Sequence, residues 1–224
     1  MTSISESVLN RRSTRSFTDQ PVEKATLVEL LQTASRSPSG SNLQPWFVYA
    51  LTGNKLQEFL GRVRKSLAAN QRGEGSEYEL YPSNLGETYK ARRFKCGEDM
   101  YATIGVEREN KMARMMQFAR NFDLFGAPVG LFFCIDRDFD RPQWAHLGMF
   151  IQTIMLLAHE KGLATCAQEA WSAMYKTTSS YLELPENQIL YCGMALGYPD
   201  PDAPINSLVT DREPIENFAS LRGF

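Results

Sequence analysis

Residues 144–159 read WAHLGMFIQTIMLLAH, a run that is apolar nearly all the way round. A helix without a polar face has to be buried on several sides. Either a central helix wrapped by the rest of the chain or a helix packed on a second subunit meets that need. The run is too short for a membrane span, which takes about 20 apolar residues, and His146, Gln152 and Thr153 interrupt it. Gly162 and Leu163 end it. On either side lie the strand-like runs WFVYAL (46–51), VGLFFCI (129–135) and QILYCGMAL (188–196), with a shorter run of small residues at 164–167.

The remaining segments read as helices and loops. Ser3 and Glu6 fit a capping box ahead of Val8 and Leu9. Leu27, Leu30, Leu31 and Ala34 carry the i, i+3, i+4, i+7 spacing of an amphipathic helix, which Pro38-Ser39-Gly40-Ser41-Asn42 breaks. A helix is predicted from about 55 to 69, mostly helical composition over 87–122, and another helix over 172–182. Residues 70–86 are rich in Gly, Ser, Glu and Tyr without period, and a stretch of this length is a functional lid or is mobile. Residues from about 203 to 224 read as an extended tail packed on something else. No break in composition divides the chain, so residues 1–224 are expected to form a single domain.

Composition narrows the function. Hydrophobic residues make up 43% of the 224 and charged ones 22%, which suits a globular domain with a sizeable core. A formal net charge of -2 argues against nucleic acid as a partner. The N-terminus shows no basic start followed by an apolar stretch, so no signal peptide is expected. Cys96, Cys134, Cys166 and Cys192 form no CxxC pair and match no zinc spacing. Reduced thiols, a cytoplasmic location and no metal are the expectation. His146 and His159 stand far from any Ser or Cys in a catalytic setting, which argues against a Ser/His or Cys/His enzyme.

Against this near-neutral background, Arg11-Arg12-Ser13-Thr14-Arg15 concentrates three guanidinium groups and two hydroxyls. Planar, multi-donor cations suit a phosphate or another compact anion. The alternative is a solvated Arg-rich turn.

Four pieces in order resemble the FMN-dependent nitroreductase family. RRSTR (11–15) is similar to its first flavin-binding motif and PSGSNLQPW (38–46) to its second. GLATCAQEAW (162–171) is similar to the third, and LGYP (196–199) followed by REPI (212–215) to the fourth. The resemblance points to the subgroup of nitrobenzoate reductases. It implies an α+β fold, a three-layer α/β/α sandwich with a mixed, mostly antiparallel sheet, in a domain-swapped homodimer with FMN at the interface.

The same resemblance assigns roles. Arg11 and Arg212 would hold the FMN phosphate, helped by Ser13 and Arg12. Arg15 would lie by the pyrimidine edge of the ring. A unit charge about 4 Å away at an effective dielectric near 20 is worth roughly 4 kcal/mol before desolvation. Pro38, Ser39, Gly40, Asn42 and Gln44 would reach the flavin bound mainly to the other subunit; read alone, the same turn is an ordinary helix-to-strand connection. Main-chain groups of Ala167, Gln168 and Glu169 would sit beside flavin N5. No protein nucleophile is needed, so no catalytic side chain is assigned. NAD(P)H would give hydride and a small aromatic acceptor would take it in ping-pong fashion. No Gly-x-Gly-x-x-Gly follows a strand-like run, which fits a nicotinamide that comes and goes.

The lid, about 70–125, would set the acceptor. Tyr89 or Arg93 could bind a substrate carboxylate, and Phe122 or Phe125 could stack on an aromatic ring. Reductive dehalogenation, enoate or quinone reduction on the same scaffold, and a non-catalytic flavin carrier, are the alternatives.

Overall fold

The computed structural model describes residues 3–224. Four strands form one sheet in the order β1 (Phe47–Thr52), β2 (Val129–Asp136), β4 (Gln188–Gly197), β3 (Ala164–Gln168). Every neighbouring pair is antiparallel, with Val48 opposite Phe133 and Cys166 opposite Ala195. The parallel part of the expected mixed sheet is one isolated bridge, Ser13 to Thr165.

The central strands are buried on both faces, which is why they read as unbroken apolar runs. Their two-residue period sorts the core into two layers. Phe132 and Cys134 face Leu56, Phe59 and Trp171, beneath α3 (Gly53–Ala69) and α7 (Tyr175–Leu182). Leu131, Phe133 and Ile135 face Leu30, Leu147, Phe150 and Ile154, beneath α2 (Lys24–Ala34) and α6 (Arg141–Glu160). Trp46, just before β1, stacks on Phe150 with centroids 4.7 Å apart. At about 25 cal/mol per Å2, each large side chain so buried contributes about 1.5–3 kcal/mol.

The decisive helix α6 is longer than its apolar run, because Pro142 suits a helix's first turn and lets the helix start at Arg141. Only one face is covered. Leu147, Phe150, Ile151, Ile154 and Ala158 are buried, whereas Ala145 and Met149 are exposed and Gln152 and Leu156 half-buried. Within the chain it is therefore not a wrapped central helix.

The helical stretch 87–122 divides into α4 (Glu87–Thr103), α5 (Lys111–Ala119) and a 3-10 segment at Arg120–Gly126. No residue of α4 is buried. α1 (Ile4–Asn10) carries the expected box, with Glu6 N–H donating to Ser3 Oγ at 3.1 Å and Ser3 N–H to Glu6 Oε2 at 2.7 Å.

Residues 70–86 have no regular structure but are pinned. Glu74 N–H donates to Ala173 O at 2.7 Å, and the Glu74 carboxylate accepts from Thr177 N–H at 3.0 Å and Ser66 Oγ at 2.9 Å. Tyr78 Oη donates to Tyr191 O. The tail is extended apart from short 3-10 turns, and it exposes Val209, Ile215, Phe218, Leu221 and Phe224.

Candidate functional site

The Arg-rich run begins where α1 stops. Arg11 caps that helix with extended backbone, and the next residues run beside edge strand β3. Thr14 N–H donates to Thr165 O at 3.0 Å, and Arg15 N–H to Asn206 Oδ1 at 2.8 Å. Extended backbone alternates its side chains. Thr14 is buried, while Arg11, Ser13 and Arg15 line a cavity of about 340 Å3 with Arg12, Leu208, Thr210 and Arg212. A second cavity, about 530 Å3, lies between Arg12, Thr14, Met155 and His159.

The electrostatics of the smaller cavity are those of an anion site. Burial lowers the Arg11 guanidinium pKa, and the positive charge of Arg212 lowers it further. Among the described residues Arg11 Nε is buried without a hydrogen-bond partner. Arg15 Nη1 donates to Ser13 O at 3.1 Å. Arg212 Nη1 donates to Thr210 Oγ1 and to Asp211 O, each at 2.7 Å. Converging cations and an unsatisfied guanidinium nitrogen are both relieved by one multi-oxygen anion. Beneath them burial pushes the Cys166 thiol up to about 11, although Arg15 and Arg11 pull the other way. The thiol is neutral and inert near neutral pH.

β3 pairs with β4 on one edge only. On its outer edge Thr165 meets the Arg-rich run, and beyond Thr165 that edge makes no main-chain bond to another segment among the described residues. Ala167 and Gln168 end β3 on that edge, and Glu169 opens the 3-10 turn (Glu169–Met174) that follows. The Gln168 side chain is committed elsewhere: Nε2 donates to Asn121 O at 2.8 Å, and Oε1 accepts from Trp171 Nε1 at 3.4 Å. Desolvation raises the Glu169 carboxyl.

The Pro38–Gln44 turn is not brought to this cluster within the chain. Gly40 N–H donates to His146 Nε2 at 3.3 Å, near the start of α6, whereas the Arg-rich run meets α6 near His159. At about 1.5 Å per residue these two histidines lie about 20 Å apart. Gln44 N–H donates to Ser39 Oγ at 2.9 Å, and Gln44 Nε2 to Asn42 O at 3.2 Å. Ser41, Asn42 and Gln44 all have positive φ, at 51°, 56° and 51°. Non-glycine residues held there cost about 1–3 kcal/mol each and cluster at functional segments. Nothing in the composition of the turn announces this strain.

Of the lid residues, Tyr89 and Arg93 are exposed on α4. Arg92 lies over the Tyr89 ring at 5.6 Å and Arg93 over Tyr81 at 4.4 Å. The expectation that Phe122 or Phe125 stacks on an acceptor needs correction. They are only 6% and 2% exposed, and Phe122 packs edge-on against Trp171. Their segment folds back beneath α5 and joins the core. Phe118 on α5 is exposed and packs edge-on against Phe122.

The sequence profile described as Nitroreductase family matches residues 8–198. The chain is 35% identical over 217 residues to a 4-nitrobenzoate reductase of Pseudomonas putida, covering 97% of this chain and 94% of that protein. It is 33% identical over 218 residues to a nitrobenzene nitroreductase of Ectopseudomonas oleovorans, covering 97% and 96%. It superposes with a TM-score of 0.96 on the FMN and NADPH-dependent nitroreductase NfnB from sphigopyxis sp. strain HMH, at 40% identity over 99% of this chain and all of that one. With the profile spanning most of the polypeptide and the relatives nearly all of it, the chain belongs to the nitroreductase family.

Proposed function

We propose that this chain is an FMN-dependent NAD(P)H oxidoreductase that reduces nitroaromatic compounds. The observation that carries the reading is the convergence of Arg11, Ser13, Arg15 and Arg212, from opposite ends of the sequence, on one cavity with an unpartnered guanidinium nitrogen. When bound, FMN supplies hydride-transfer chemistry between NAD(P)H and a nitro group, which goes to nitroso and then hydroxylamine.

The residues divide the work. Arg11, Arg212, Ser13 and Arg12 bind the phosphate. Arg15, held by Asn206 and Ser13, supplies positive charge toward the ring and favours its reduced, anionic form. The open edge of β3 at Ala167 and Gln168, with Glu169 just beyond it, offers main-chain groups that orient the ring. Tyr89 and Arg93 face the acceptor from the lid. Protons come from water.

The functional unit is a homodimer. α6 has one uncovered face, the tail exposes apolar residues, and the strained turn meets the opposite end of α6 from the cations it should join. A second copy covers the helix and supplies Pro38, Ser39, Gly40, Asn42 and Gln44 to its neighbour's flavin. Among the described residues no helix is long and apolar enough to cross a membrane. Dependence on NAD(P)H and free cysteines suit the cytoplasm.

The test is direct. Purified protein should be yellow with one FMN per chain, bleach anaerobically with NADPH or NADH, and reoxidise with 4-nitrobenzoate faster than with quinones or enoates. Colourless protein that takes up no FMN overturns the cofactor, and a faster quinone or enoate overturns the acceptor class.

A further inference from the structure

The tail around Arg212 has little main chain to hold it. Among the described residues, 208–213 make no backbone–backbone hydrogen bond, and the segment is exposed but for the half-buried Leu208 and Glu213. Two side chains from α4 take that role. Lys95 Nζ lies 2.8 Å from Asp211 Oδ2, and Arg92 reaches Glu213 Oε1 at 2.9 Å. The pairs flank Arg212 on both sides in sequence. Arg92 and Lys95 are three apart and so share one face of the helix. One member of each pair is itself braced: Glu213 Oε2 accepts from Asn217 Nδ2 at 2.8 Å, and Lys95 also meets Asp99 at 2.6 Å. Arg212 lines two cavities at once, the groove with Arg92, Lys95, Cys96 and Asp99 and the site with Arg11, Ser13 and Arg15.

We propose that Arg92 and Lys95 are positioning residues for Arg212: they clamp Asp211 and Glu213 so that the guanidinium between them stays over the phosphate site. The lid helix thereby becomes part of cofactor retention. The inference rests on the FMN reading of the cation cluster and adds a coupling to it. Exposed ion pairs stabilise a fold by only about 0–1 kcal/mol each. Their value here is orientational, because they restrain a segment that little else restrains. The coupling is reciprocal: whatever docks α4 on the tail strengthens phosphate binding, and phosphate strengthens the docking. The charge pattern also agrees, since Arg92 depresses the Glu213 carboxyl after the larger effect of Asn217.

The phosphate provides the discriminating probe, since riboflavin has the ring and polyol without it. FMN and riboflavin affinities are measured by fluorescence titration on the full chain, for the parent, Arg212→Ala, the double variant Arg92→Ala/Lys95→Ala, Arg92→Glu, and the charge swap Arg92→Glu/Glu213→Arg. The double variant should bind FMN about tenfold more weakly, equivalent to about 1.4 kcal/mol, while riboflavin affinity stays within about twofold. The charge swap should recover most of the loss seen in Arg92→Glu alone. An equal fall for both ligands, or a double variant that binds FMN like the parent while Arg212→Ala does not, overturns the clamp and leaves the phosphate site standing. An unchanged Arg212→Ala removes Arg212 from the phosphate site, and the clamp with it.

Discussion

The indole of Trp171 lies against the backbone of Gly193, so closely that a methyl group there would come within 2.3 Å of the indole Cδ1. Trp171 is fully buried and also packs on Phe59, Phe122 and Phe132. Gly193→Ala should therefore force the ring out of a close-packed cluster. The expected loss is about 1–3 kcal/mol, which lowers Tm by about 2–4 °C per kcal/mol in a domain of this size. Differential scanning calorimetry checks it. The displacement should also loosen Gln168, which Trp171 Nε1 touches, so FMN affinity should fall with stability.

Arg11 presents the opposite balance. It costs the protein stability without a phosphate, because its charge is partly buried beside that of Arg212. Arg11→Gln should leave the flavin-free protein as stable as the parent or slightly more so. FMN affinity should nevertheless fall about ten- to a hundredfold, the worth of roughly 1.5–3 kcal/mol for a hydrogen bond to a charged group. Thermal melts with and without FMN separate the two effects. A variant that is destabilised but keeps its FMN affinity removes Arg11 from the phosphate site.

Glu74 makes the long loop sensitive to acid. Burial raises its carboxyl pKa, but hydrogen bonds from Thr177 and Ser66 outweigh that and leave it below the usual 4.5. A depressed folded-state pKa gives stability that is present above the unfolded value and lost as pH falls through the folded one. Between pH 5 and 8 the contribution should be complete, and below about pH 4.5 it should fade. Limited proteolysis should cut within residues 70–86 faster in Glu74→Gln than in the parent at pH 7. At pH 3 to 4 that difference should shrink.

The sequence showed different parts of the molecule with different clarity, for physical reasons. β2 and β4 were legible because strands buried on both faces carry unbroken apolar runs. The cation cluster was legible because three guanidinium groups in five residues stand out in a chain of net charge -2, and the other three motifs set it apart from a solvated turn. The single covered face of α6 was not, since hydrophobicity alone does not say which neighbour buries it. Ser41, Asn42 and Gln44 carry positive φ without being glycine, so local composition understated the strain of that turn. Phe122 and Phe125 read as ligand-facing aromatics because their burial depends on where the chain folds back after α5. The pinned loop at 70–86 depends on a few long-range bonds from Glu74 and Tyr78, which have no local signature.

The uncovered face of α6 gives the sharpest test of how a complete site is built. Ala145, Met149, Gln152 and Leu156 recur at helical spacing opposite the buried Leu147, Ile151, Ile154 and Ala158. This stripe is apolar but for one amide, and Met149 is 43% exposed. A charge at its centre should resist burial against a second copy while leaving the chain's own core untouched. Met149→Glu should therefore fold with near-normal helicity but elute as a monomer, as light scattering would show. It should also lose FMN, although Arg11, Ser13, Arg15 and Arg212 are unchanged, because the strained Pro38–Gln44 turn would no longer arrive from the neighbouring subunit. A monomer that held FMN as tightly as the parent would mean that one chain's cations suffice, and that the turn's strain serves some end other than the flavin.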